Sequence, residues 1–347
     1  MKHPLKISSR LFILLLSLTV IAGCGKDEPV SGNEESQDEV KGLMQLVSPE
    51  QSGISFNNTV DERFENFFDF FAYVYNGGGV AIGDINNDDL PDIYFTGNEV
   101  ENKLYLNKGD LHFEDITASA HVGGAGGWDN GVTMVDINSD GLLDIYVCRG
   151  GWQDAEEERA NLLYINQGDL TFIEAAAEYN LNDTGYSNHA VFFDMDNDND
   201  LDAFVINRPD SFYMPLSQMA KRQYNAPEKN RDKLYVNEGG KFVERGREAG
   251  ITYNYGYALS VVAADINKDG YTDLFVSNDY SISDYLYINQ KDGTFKESIK
   301  DATNHISLYS MGADVADINN DGLEDLVVME MRPEDYQRSK VSMPSMD

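Results

Sequence analysis

Residues Asp84–Asp92 read DINNDDLPD: four aspartates and two asparagines held between two apolar runs, GGVAIG before and IYFTG after. Ionised carboxylates at that density repel one another unless something neutralises them. The string recurs as DINSDGLLD at Asp136–Asp144, DMDNDNDLD at Asp194–Asp202, DINKDGYTD at Asp265–Asp273 and DINNDGLED at Asp317–Asp325. One such string in an acidic chain would read as an Asx-type turn without metal. Five copies in register call for a shared cause.

Set in register, position 1 is Asp84, Asp136, Asp194, Asp265 and Asp317. Position 5 is Asp88, Asp140, Asp198, Asp269 and Asp321, and position 9 is Asp92, Asp144, Asp202, Asp273 and Asp325. Position 3 is Asn86, Asn138, Asp196, Asn267 and Asn319. Hard oxygens at alternate positions suit Ca²⁺, which takes six to eight of them. The position-7 carbonyls of Leu90, Leu142, Asp200, Tyr271 and Leu323 are natural backbone ligands. Position 6 needs a positive φ; it is Gly141, Gly270 and Gly322, with Asp89 and Asn199 in the other two loops. An EF-hand would place a bidentate Glu at position 12. That position holds Phe95, Val147, Val205, Val276 and Val328, which are strand residues, so the loops join strands and not helices. The expectation is up to five calcium ions, bound most tightly in the third loop, with its four carboxylates Asp194, Asp196, Asp198 and Asp202. Mg²⁺ is the alternative ion, but it keeps its water.

Around each loop the chain repeats itself. A second apolar run is followed by LYLNKG at Leu104, LYINQG at Leu163, LYVNEG at Leu234 and LYINQKDG at Leu286. Phe-x-Glu or Phe-Glu strings follow at Phe113, Phe172, Phe242 and Phe295. The loops start 52, 58, 71 and 52 residues apart. Short runs rich in Val, Ile, Tyr and Phe between Gly and Asn are strands, about four per unit. This predicts an all-β chain, a β-propeller of four-stranded blades over residues 45–331 with ion-binding hairpin loops. LVSPEQSGISF (Leu46–Phe56) matches the outer part of a unit, as in FVERGREAGITY. The fifth unit stops after DLVVMEM, so either the ring closes on an incomplete blade or the chain is the front of a longer protein; the second is favoured, with 332–347 the start of a continuation. Two insertions, Gly150–Asn161 and Arg208–Arg231, and the aromatic stretch Phe64–Gly79 break the period. They read as core or loop packing, and otherwise as the best places for a ligand surface.

The net charge of −34 argues against nucleic acid as a partner. Lys2, Lys6 and Arg10 precede the apolar run LFILLLSLTVIA, too short for a comfortable membrane span and typical of a targeting signal. It ends in IAGC, which resembles the lipobox of bacterial lipoproteins. That resemblance implies a signal peptide over 1–23, cleavage after Gly23 and lipid on Cys24, hence a membrane anchor. GKDE after Cys24 is similar to surface-export signals of Bacteroidetes lipoproteins, implying a cell-surface position in the outer membrane, with a periplasm-facing or secreted protein as the alternative. Residues 24–44 read as a disordered acidic tether. With Cys24 lipidated, Cys148 can form no intramolecular disulfide and reads as a small buried hydrophobe.

At these residues the units resemble FG-GAP/VCBS repeats, the calcium-loop propeller repeats also found in integrin α heads. YNGGGVAIGDINNDDLPDIYFTGNEVENKLYLNKGDLHFEDIT is similar to the opening of large Bacteroidetes VCBS-repeat lipoproteins, many of which continue into an ASPIC-type domain. The resemblance implies recognition or adhesion, with a glycan or surface protein as ligand. Five histidines form no HExxH pair, and GxSxG, Walker and zinc spacings are missing. His189 reads as a satisfied structural histidine. A propeller-fold polysaccharide lyase or hydrolase is the competing class.

Overall fold

The computed structural model describes residues 44–63, 71–124, 126–151, 155–210, 216–222, 225–280 and 282–331. The signal segment, Cys24, nearly all of the tether, the 332–347 extension, Phe64–Phe70 and parts of both insertions lie outside the described residues.

Each sequence unit folds into one antiparallel meander. Strands β1 (Val80–Gly83), β2 (Asp92–Phe95), β3 (Lys103–Asn107) and β4 (Phe113–Asp115) form the first sheet in that order. β5 (Asp129–Val135), β6 (Asp144–Arg149), β7 (Leu162–Asn166) and β8 (Phe172–Glu174) form the second. β9 (Ser187–Phe193), β10 (Asp202–Asn207), β11 (Lys233–Asn237) and β12 (Phe242–Glu244) form the third. β13 (Tyr257–Ala264), β14 (Asp273–Asp279), β15 (Tyr285–Asn289) and β16 (Phe295–Glu297) form the fourth, and β17 (Ser310–Ala316) pairs with β18 (Asp325–Glu330) alone. Every Asp-rich loop therefore links the first strand of its sheet to the second.

The first strands stand side by side in chain order, β1 next to β5, then β9, β13 and β17. This is the blade arrangement of a propeller, in an open array. The cores lie between neighbouring sheets. Ile145 and Val147 of β6 pack toward Leu104 and Tyr94 of the first sheet, while Tyr146 and Cys148 pack toward Ala203 and Val205 of the third. A second strand covered on both faces is buried at every residue, which is why DIYVC and DAFVI are continuous apolar runs and not alternating ones. Cys148 is a free, fully buried thiol in one of these layers.

The N-terminal stretch flanks the first sheet, not the last. Gly53, at φ 77°, sits where an added Cβ would lie 2.4 Å from the carbonyl oxygen of Phe113. Gly250, at φ 81°, stands the same way against the carbonyl of Phe295, 2.7 Å from its would-be Cβ. Phe56 stacks on Phe95 at 5.1 Å, and the Ser55 N–H donates to the Tyr105 hydroxyl at 3.3 Å. Val47–Phe56, which holds the one-turn helix Pro49–Ser52 and no strand, thus packs against the first sheet as the Gly250 segment packs against the fourth.

The described parts of the irregular segments converge at the sheet ends opposite the Asp-rich loops. Arg208 is buried there, its guanidinium over the rings of Phe71, Tyr73 and Tyr186 at 4.7–5.0 Å. It donates to the carbonyls of Gly150 at 2.6 Å, Gly151 at 2.9 Å and Pro209 at 2.9 Å. Cation–π contacts and backbone acceptors stand in for a carboxylate partner. These aromatic residues serve the core.

Candidate metal loops

The loops fold alike because the backbone amides of each turn point at its own carboxylates. In the first, Asp84 accepts from the N–H of Asp88 at 3.1 Å and of Asp89 at 2.7 Å. The equivalent position-1 pairs are 3.0 and 2.9 Å at Asp136, 3.2 and 3.0 Å at Asp194, 2.9 and 2.8 Å at Asp265, and 3.0 and 2.8 Å at Asp317. Burial raises the Asp84 pKa, but the amides of Asp89, Asp88, Asn86 and Asn87 outweigh it and leave the group below its ordinary value. Position 5 caps position 7: Asp88, Asp140, Asp198, Asp269 and Asp321 accept from Leu90, Leu142, Asp200, Tyr271 and Leu323 at 2.8–3.1 Å. Asn86, Asn138, Asn267 and Asn319 accept from the position-5 amide at 2.9–3.3 Å.

Position 6 has positive φ in all five loops, including Asp89 at 66° and Asn199 at 72°, so these two residues adopt the turn without glycine. Position 4 is also left-handed throughout, at Asn87, Ser139, Asn197, Lys268 and Asn320. In three loops its side chain reaches the neighbouring loop from there. Asn87 donates to the Gly141 carbonyl at 3.0 Å, Asn197 to Gly270 at 3.1 Å, and Lys268 to Gly322.

Position 9 is different in kind. Asp92, Asp144, Asp202 and Asp273 are buried at the start of their second strands. One oxygen accepts a loop amide: Ile85 at 3.0 Å, Ile137 at 3.1 Å, Met195 at 3.0 Å and Asn267 at 3.3 Å. The other accepts the N–H of the LYxN asparagine, Asn107, Asn166, Asn237 or Asn289, at 2.7–2.9 Å. These asparagines were missed as functional residues, although the repeated LYxN string carries them. Their amides also clip the end of the loop, Asn107 on Pro91 at 2.8 Å and Asn289 on Thr272 at 3.2 Å. Asp325 is half-buried and accepts from Ile318 at 3.2 Å. Burial pushes Asp144 up to about 6 and Asp202 up to about 7, against their backbone donors. Asp92 and Asp273 are raised for the same reason. Two amides do not compensate these carboxylates for the water they lose.

The donor set fits a hard cation. Asp194, Asp196 and Asp202 each bring an oxygen within 4.8 Å of the others. Among the described residues no other loop brings three carboxylates that close, because position 3 is Asn elsewhere. All donors are oxygen, as Ca²⁺ requires, and the ion would supply positive charge beside the buried position-9 carboxylate.

FG-GAP-like repeats match residues 84–147, 224–276 and 265–328, three segments that each contain at least one whole Asp-rich loop. The chain carries FG-GAP-like repeats. Its similarity extends to cartilage acidic protein 1 of Homo sapiens, 28% identical over 217 residues, and of Xenopus tropicalis, 27% identical over 219. These alignments take 62% of this chain and 30% and 31% of the relatives, so the chain spans less than a third of their length. Among solved structures it is similar to an Agrocybe aegerita lectin that recognises non-reducing terminal N-acetylglucosamine. That likeness has a TM-score of 0.42 and 18% identity, over 72% of this chain and 60% of the lectin chain.

The sheet ends opposite the loops carry a second repeated device, also missed. The residue before the third strand is Asn102, Asn161, Asp232 or Asp284, and it accepts the N–H of Gly97, Arg149, Asn207 or Asn278 at 2.7–2.9 Å. Each also reaches toward the next sheet, to Asp129, Ser187, Asn254 and Ser310 at 2.6–3.0 Å. Asp129 lies under the glycine loop Gly123–Gly127 and pairs with the buried Arg149 at 2.7 Å. A Cβ at Gly127 would fall 2.4 Å from the Arg149 Nη2, so this position has no room for a side chain over the ion pair.

Proposed function

We propose that this chain is a calcium-stiffened recognition module held at a membrane surface by lipid on Cys24. One observation carries the calcium part. Five loops share one hydrogen-bond scheme, and four bury the ninth-position carboxylate without a cationic side chain beside it in that scheme. Calcium supplies the missing charge and locks each first strand to its second. The open array then offers a rigid surface to a glycan or surface protein, and millimolar calcium outside the cell keeps even weak loops filled.

The test is isothermal titration of chelated protein with CaCl₂, followed by melting with and without EGTA. Saturable calcium binding and a higher melting temperature are expected. No heat of binding and an unmoved transition would end the reading.

A further inference from the structure

The five first strands enclose a cavity of about 550 Å³ on the array axis, a size ordinary for a small-molecule site. Its wall comes from the same register of each strand: Gly79, Gly131, His189, Ser260 and Gly312, five residues before each loop. In a chain of net charge −34, no Asp, Glu, Lys or Arg lines it among the described residues. A cation entering it would shed water without meeting a carboxylate, and an anion would face the field of the whole acidic chain. The wall therefore selects for an uncharged guest.

What it offers such a guest is mixed. The His189 imidazole lines the cavity and has no hydrogen-bond partner among the described residues. Burial lowers its pKa, so at neutral pH the ring is uncharged, with one donor and one acceptor. Asn188 commits an amide N–H to the Ala258 carbonyl at 2.6 Å, which turns its side-chain oxygen out as an acceptor, held so far only by a long contact of 3.4 Å from the Asn130 amide. The Ser260 hydroxyl has only a long contact, 3.4 Å from the Ala313 N–H. At the mouth Tyr75 is 59% exposed, its hydroxyl held by Glu62 at 2.9 Å. An aromatic side chain at the mouth, with neutral donors and acceptors and no charged side chain in the described wall, matches the C–H face and hydroxyls of a sugar ring.

We propose that the axial cavity binds an uncharged carbohydrate residue, with His189, Asn188 and Ser260 meeting its hydroxyls and Tyr75 its apolar face. This rests on the recognition reading above and gives it a location and a ligand class.

Gly312 provides the decisive variant. A Cβ added there meets nothing within 4 Å and φ is not left-handed, so the Gly312→Leu side chain starts in open space at the cavity wall. The full chain, Gly312→Leu and His189→Ala are compared on an array of neutral and uronic-acid oligosaccharides, with melting curves for each. Neutral ligands are expected, bound roughly tenfold more weakly by both variants, with the melting temperature of Gly312→Leu unchanged. Full binding by Gly312→Leu, or by His189→Ala should the first variant misfold, overturns the cavity site and leaves recognition standing. So does a ligand set led by uronates. No binding to any glycan by the unaltered chain removes the carbohydrate reading and the cavity site with it, while the calcium titration above remains a separate test.

Discussion

The side-chain amide of Asn197 donates to the carbonyl of Gly270 across 3.1 Å, tying the third Asp-rich loop to the fourth. Asn87 ties the first to the second, and Lys268 the fourth to the fifth. At the same position the second loop has Ser139, whose side chain is too short for the span. Asn197→Ala should lower the unfolding free energy by about 0.5–1.5 kcal/mol. Ser139→Asn, at a φ of 59° that asparagine tolerates, should supply the link to the third loop and raise stability by up to about 1 kcal/mol. Urea unfolding of the two variants in calcium checks both signs.

Metal occupancy should differ between loops. Asp194→Asn removes a carboxylate from the cluster with Asp196 and Asp202, whereas Asp317→Asn alters the exposed end of the array. The first should abolish the tightest step of the calcium titration and the second a weaker one. Each lost site should cost about 2.7 kcal/mol of stability when free calcium is 100 times its dissociation constant. Titration steps of equal affinity in the unaltered protein would contradict the ranking.

The Arg149–Asp129 pair should be brittle. Both side chains are almost wholly buried, and Asn102 also donates to Asp129 at 2.6 Å. Arg149→Met strands a buried carboxylate and should cost about 3–5 kcal/mol. Adding Asp129→Asn removes that charge and should recover part of the loss. Chemical denaturation of the single and double variants makes the comparison; an additive double variant would show that the two groups do not interact.

Acidity should act through Asp232. It is buried before β11, facing the Asn207 N–H at 2.9 Å and the Asn254 amide at 2.8 Å, and burial pushes its pKa up to about 7. A carboxyl raised in the folded state binds a proton there that the unfolded chain has released. Its contribution is therefore complete below the unfolded value near 4 and is lost as pH climbs to about 7. The stability of Asp232→Asn relative to the unaltered chain should improve between pH 5 and pH 8 by a few kcal/mol. A difference flat across that range would show that Asp232 titrates normally.

The loops and the strands around them were legible because both are written in short periods. Asp at positions 1, 5 and 9 is a spacing no strand or helix demands, and DIYVC with its counterparts is apolar at every residue because sheets cover both faces. The roles of Asn107 and Asn102 were not read, although both positions recur, because a repeated amide looks like turn chemistry until its partner is located. That partner is the position-9 Asp92 in one case and Asp129, the first residue of the next sheet, in the other. The place of His189 at the cavity was not legible for the opposite reason: nothing in NHAVFF says which face of β9 borders it. The aromatic segment could have been surface or core, and among its described residues the meeting of Phe71 and Tyr73 with Arg208 places those two in the core while Tyr75 is exposed.

Gly53 and Gly250 hold the same crossing against Phe113 and Phe295, so the first and fourth blades borrow their outer flank from the segment just upstream. Structural borders are thereby out of phase with the covalent repeat. An engineered swap of one blade has to be cut within the linker that precedes this glycine, carrying the flank along with the sheet it shelters. A cut at the strand edge would leave Phe95 and the Tyr105 hydroxyl uncovered, and the transplanted blade would come away missing a side.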